Sequence, residues 1–171
     1  MDICIDSQDP LIFHASDVRV RQSMDIAMRL GVHAVIFHTN HIANFRLKSY
    51  REDWLKKNSA YWRRLLAEYP ALTVYLENMF DEEPDLLRRL AEDLSDEPRF
   101  GVCYDMAHAY LSQTPLTDWN QALLPYVCHL HINVGEFLKL SNKFKHLRDE
   151  DIAFIQEEVN SRMELIKKLA L

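Results

Sequence analysis

The chain of 171 residues is 48% hydrophobic and 11% aromatic, enough to bury one substantial core, so residues 1–171 are expected to form a single domain. Its 26 acidic against 20 basic residues leave a formal charge of −6, and the basic ones are scattered rather than gathered into a stripe, so no nucleic-acid partner is expected. Three cysteines at positions 4, 103 and 128 show no C-x-x-C spacing, and the opening MDICIDSQDP has neither a positive start nor a long apolar run; a soluble protein of the reducing cytoplasm is expected, with no membrane span.

In chain order, helical periodicity alternates with short β-rich apolar runs, the rhythm of parallel strands joined by helices. The spacing predicts a first helix from about Ser16 to Leu30, capped by Ser16 or Asp17, with Val20, Met24, Ala27 and Leu30 on one face and Gly31 as its stop. The strand VHAVIFHTN follows. SYRE has capping-box spacing from Ser49 to Glu52, ahead of a helix carrying Tyr50, Trp54, Tyr61 and Leu65 on one side. LTVYLENM is the second strand. Pro84 suits the first turn of the helix PDLLRRLAEDL, whose Arg88, Arg89, Glu92 and Asp93 form a solvated face, and Pro98 lies beyond its end. FGVCYDM is the third strand. A short helix from about Thr117 to Leu124 leads to the fourth, VCHLHINV, and a lysine-rich loop precedes a last helix, Asp149 to Leu169. Trp119 is expected to pack where its helix meets the sheet, and Cys103 and Cys128 to be core thiols.

Each strand ends on an ionisable or metal-capable side chain: His38, then Glu77, then Asp105 with His108, then His129 with His131. Parallel strands in a β/α protein bring their C-terminal ends to one side of the sheet, so these groups converge. Buried carboxylates and imidazoles satisfy one another around a divalent cation, and this donor set suits Zn, Mn, Fe or Co better than Ca. Taken singly, each has a plainer reading. His38 reads equally well as a hydrogen-bonded strand-end histidine, and D-x-x-H at Asp105 and His108 as a helix cap and its neighbour. Glu77 has no basic residue near it in sequence. His129 and His131 alternate with Leu130 and Ile132 and share a face.

The segments AVIFHTN, LTVYLENM, FGVCYDMAHA and HLHIN, in this order, resemble the sugar isomerase and epimerase group of xylose-isomerase-like TIM barrels, a group related to endonuclease IV. The resemblance runs from about Asp9 to about Phe154 and implies an α/β fold, a partial (β/α)8 barrel. By position it makes Glu77, Asp105 and His131 ligands of a divalent metal (Mn, Zn, Co or Mg). His108 resembles a substrate-contacting histidine or a further ligand, and Glu83 a substrate-contacting glutamate with an acid/base role beside Glu77, although FDEEPD also reads as the acidic start of a helix. His38 resembles the family's strand-end histidine contacting substrate, and His146 the histidine of an H-L-x-x-G-x-G loop, a further candidate ligand.

The pattern also departs from that group. A full barrel has eight strands in about 250 residues, whereas four are evident here, so the first two strands and the last, glutamate-bearing one are expected to be missing. Val134 stands where an aspartate would follow His131, and RDED replaces the loop glycines after His146; Glu136 is the candidate for a repositioned second carboxylate. Three functions follow: a metal-dependent isomerase or epimerase of a sugar or sugar phosphate, an endonuclease-IV-like phosphodiesterase, or a non-catalytic partial barrel that associates with itself through its open edges. A homo-oligomer, at least a dimer, is expected in each case.

Overall fold

The first helix, α1, spans Pro10–Leu30 and so starts at Pro10 rather than near Ser16. Asp9 is its cap: the carboxylate accepts from the backbone N–H of Leu11 and Ile12, and Pro10 occupies the first turn, where no donor is needed. Ser16 lies buried inside the helix, where its hydroxyl donates to the Ile12 carbonyl and accepts from Cys4 N–H, both at 2.8 Å. This pins the N-terminal segment to the helix. Gly31 ends α1 at φ 69, and Val32 N–H reaches back to the Ala27 carbonyl at 3.1 Å, a left-handed stop that a side chain would strain. Val20, Met24 and Ala27 are buried as expected, but Leu30 is 72% exposed because the chain turns away directly after it.

The protein is described here from a computed structural model covering residues 3–41, 47–112 and 114–132. The chain divides into compact units at 1–132 and 133–171, and every described residue belongs to the first. The expected last helix (Asp149 to Leu169), Val134, Glu136 and His146 fall outside the described residues.

Strands β1 (Ala34–His38), β2 (Thr73–Glu77), β3 (Phe100–Asp105) and β4 (Val127–His131) form a parallel sheet in the order β1-β2-β3-β4. Helix α2 (Lys48–Glu68) joins the first two, α3 (Asp85–Asp93) the next two, and α4 (Met106–Leu111), α5 (Leu116–Leu123) and a 3-10 turn at Leu124–Tyr126 lead into β4. This is the βαβ connectivity by which consecutive parallel strands are joined through helices.

The core lies between sheet and helices. Trp54, Tyr61, Trp62, Leu65 and Leu66 of α2 and Leu86, Leu87 and Leu90 of α3 are all buried, each aliphatic side chain contributing roughly 1.5–3 kcal/mol on removal from water. Trp119 stacks on Tyr104 with centroids 6.4 Å apart, and its indole N–H donates to Ser112 Oγ at 2.8 Å, so α5 is fastened to β3 as expected. The Ser49–Glu52 capping box does not form: Leu47 holds the cap position without a side-chain bond, and Glu52 instead receives both arms of Arg89 on α3 at 3.0 and 2.9 Å. A bidentate guanidinium–carboxylate pair outweighs a single amide. Pro84 is the cap of α3 rather than a member of its first turn.

Between Val102 and Cys103 the register of β3 against β4 slips by one, since Val102 pairs with Val127 and Cys103 with His129. Cys128 is the extra residue of this bulge. It is exposed rather than in the core, because β4 is the outermost strand among the described residues, while Cys103 is fully buried. Gly101 faces this bulge: a Cβ there would stand 2.6 Å from Cys128 Sγ and 3.0 Å from Cys128 Cβ. None of the described helices is long and apolar enough to cross a membrane.

Candidate active site

The strand ends converge. His38 is the register partner of Glu77, and Asp105 that of His131, so the side chains predicted from four separate segments meet at one end of the sheet. Glu77, 5% exposed, sits at their centre. Its Oε2 lies 3.1 Å from His131 Nδ1 and 3.7 Å from His38 Nε2, while Oε1 lies 3.7 Å from His108 Nδ1. Three imidazoles thus surround this one carboxylate.

Asp105 holds two positions at once. It ends β3 and caps α4, with Oδ1 accepting from His108 N–H at 2.9 Å, which leaves Oδ2 facing the His108 ring at 3.8 Å. The D-x-x-H spacing is therefore a helix cap, and the cap is what delivers His108 to the mouth. Helix α4 has no signal of its own in the periodicity; at six residues it is too short for one.

Asn78 organises both residues, and the sequence pattern does not single it out. Its side chain donates to the Asp105 carbonyl and accepts from Asp105 N–H, both at 2.9 Å, extending the β2–β3 ladder by one side-chain rung. Its own carbonyl lies 2.9 Å from His108 Nδ1. A carbonyl only accepts, so Nδ1 is the donor in this contact and Nε2 is the ring nitrogen left for another partner. The one available clue is position: an amide directly after the strand-end glutamate.

Glu83 stands apart from this cluster, on the loop before α3. It is exposed and ion-paired to Arg51, which also reaches Asp85 at 3.2 Å. Glu83 and His108 line the same cleft, of about 880 Å³, with His41, Arg51, Phe80 and Ser112 among its other walls. Beneath Phe80, Asp81 is buried, accepting from Thr39 Oγ1 at 2.6 Å and Met79 N–H at 3.0 Å. Burial pushes its carboxyl up despite those bonds. His41 is also buried, against Tyr50 and Trp54, and burial pushes its imidazole down. The sequence pattern marks neither as part of the site. Cys103, below Glu77 and Asp105, is pushed up to about 12, first by burial and then by those two carboxylates.

The donor chemistry fits a metal. Oxygen and nitrogen atoms of Glu77, Asp105 and His108 lie within 4.8 Å of one another, and His131 adds a second imidazole beside Glu77. Two buried carboxylates with imidazole partners form a set that a divalent cation satisfies. His38 adds an orphan: its Nδ1 is buried without a hydrogen-bond partner among the described residues.

A parallel sheet with chemistry at its C-terminal edge is the arrangement of a TIM barrel, and the family model of the xylose isomerase-like TIM barrel matches residues 6–159. The chain belongs to that family. A D-tagatose 3-epimerase-like protein shares the fold with a TM-score of 0.58 at 16% identity, over 97% of this chain and 75% of that one. The TTHB071 protein from Thermus thermophilus, solved after soaking with ZnCl2, matches with a TM-score of 0.53 at 24% identity, over 78% of this chain. The match spans 54% of the Thermus protein's length. No curated protein matches the sequence.

Proposed function

We propose that this chain acts on a sugar or sugar phosphate as a divalent-metal-dependent isomerase or epimerase. The observation that carries the reading is Glu77, a buried carboxylate at a strand end with three imidazoles within 3.7 Å and the Asp105 carboxylate beside it. Family membership and an epimerase-like structural neighbour support it.

In this reading Glu77, Asp105 and His131 would hold the cation, one of Mn, Zn, Co or Mg. His146 lies outside the described residues and is kept as a further candidate ligand. The chemistry such a cation would supply there is polarisation of a substrate carbonyl, which would make the neighbouring C–H more acidic. His108, its Nδ1 anchored on the Asn78 carbonyl, offers Nε2 to a substrate oxygen, and His38 closes the opposite side of Glu77. Glu83, held at the cleft wall by Arg51, is the base that moves the proton. Phe80, 67% exposed at the cleft, supplies an apolar surface for the ring or carbon chain of the substrate.

The test combines metal analysis with proton exchange. Purified protein reconstituted with Mn, Zn or Co should retain the metal, Glu77→Gln should release it, and the loaded protein should exchange the proton next to a ketose carbonyl with deuterated solvent, followed by NMR. Failure to retain any metal removes the proposal.

The imidazoles around Glu77 also favour a second reading, a zinc-dependent phosphodiesterase on damaged DNA. Its expected sign is nicking of an abasic duplex with zinc present; intact substrate removes it, and the acidic balance of the chain stands against it. Self-association is also proposed, with the outer strands of the sheet as the contact; sedimentation at the mass of a single 20.2 kDa chain would contradict it.

A further inference from the structure

Below the carboxylate cluster the bulge sets up a different set of donors. Because Cys103 pairs across the sheet with His129, and His131 lies two residues further on the same face, a thiol and two imidazoles point together; their donor atoms lie within 4.8 Å of one another. Without this register slip Cys103 would pair with Cys128, and His129 and His131 would fall on the other face relative to Cys103. The rings are also held: His129 stacks on Tyr75 with centroids 6.0 Å apart and planes 8° from parallel, and meets His131 edge-on at 5.4 Å.

From this geometry we propose a second, soft-metal site formed by Cys103, His129 and His131, selective for zinc or a similarly thiophilic cation. One thiolate and two imidazoles with an open fourth position are a zinc donor set, and sulfur separates it from the oxygen-rich site at Glu77 and Asp105. Donors around a tetrahedral zinc are about 3.5 Å apart, so side-chain rotation of about an ångström closes the site. As the metal–sulfur bond forms, the S–H bond breaks and its proton leaves to solvent. His131 borders both sets, with Nδ1 on Glu77 Oε2. A cation held by Cys103 therefore draws on a residue that the Glu77 site also uses, and zinc and a harder cation compete through His131.

Cobalt(II) is the probe. Titration of the full chain should produce a sulfur-to-cobalt charge-transfer band in the near ultraviolet that zinc abolishes. Cys103→Ala should remove the band, and Cys128→Ala should leave it. His129→Ala, at an exposed position that does not threaten the fold, should weaken cobalt binding by roughly tenfold or more. Glu77→Gln should keep the band while losing the oxygen-ligated metal, which separates this site from the proposed catalytic one. Absence of the band in the wild-type chain, its persistence in Cys103→Ala, or unchanged affinity in His129→Ala would overturn the assignment.

Discussion

Asn78 holds Asp105 by both ends of one residue, donating to its carbonyl and accepting from its N–H at the same 2.9 Å. The amide side chain is 1% exposed, so neither group it serves has water as an alternative. Asn78→Ala should therefore destabilise the fold by about 2–4 kcal/mol. It should also loosen Asp105 and His108 together, lowering metal affinity by roughly 10–100-fold. Urea denaturation and a metal titration on the same protein check the two effects, and unchanged affinity would separate Asn78 from the site.

Glu83 and Glu77 should respond differently to the same chemical change. Glu83→Gln removes a proton acceptor from the cleft without touching the cluster at the strand ends, so metal content is expected to stay while turnover falls by about 10²–10⁴-fold. Metal analysis beside a solvent-exchange assay reads this; loss of metal in Glu83→Gln would move that residue into the ligand set.

Gly101→Ala tests the bulge. The new methyl would meet Cys128 Sγ at 2.6 Å, Cys128 Cβ at 3.0 Å and Tyr75 Cδ1 at 3.3 Å, an overpacking expected to cost about 1–3 kcal/mol. Cys128→Gly in the same chain removes both sulfur and Cβ and should restore most of the loss. Thermal unfolding of the single and double variants decides it.

The pH dependence of stability has a named contributor in His41. Burial lowers its folded-state pKa, opposed by the charges of Asp81 and Asp6 and assisted by Arg51. Below the ordinary imidazole value of about 6.5 the unfolded chain takes up a proton that the folded one resists, so stability is present above that pH and is lost as pH falls through it. His41→Phe keeps an aromatic ring against Tyr50 and Trp54 and should flatten this limb. Urea midpoints at about pH 7.5 and about pH 5.5, compared between the two proteins, would show equal losses if His41 contributes nothing.

The alternation of strand and helix is legible in the sequence because parallel strands buried on both faces read as apolar runs, and TVYLE and FGVCYD do so plainly. Convergence at Glu77 is equally legible, since period-two geometry places each strand-end residue without any knowledge of loops. Three features are not. The start of α1 depends on the Asp9 cap, and the apolar residues of its first turn, Leu11 and Ile12, are exposed and give no core-facing signal. The exposure of Cys128 depends on a one-residue slip that leaves the composition of β4 unchanged. Asn78 acts through backbone groups of another strand, and such a partnership carries no periodic signal.

The division of labour within the Asp105 carboxylate makes the start of α4 an internal gauge. Oδ1 holds the His108 amide and Oδ2 faces the mouth, so whatever draws on Oδ2 alters the acceptor on which that single amide proton depends. Hydrogen exchange at His108 would thus register occupancy of the mouth directly, with no label, no chromophore and no knowledge of the substrate.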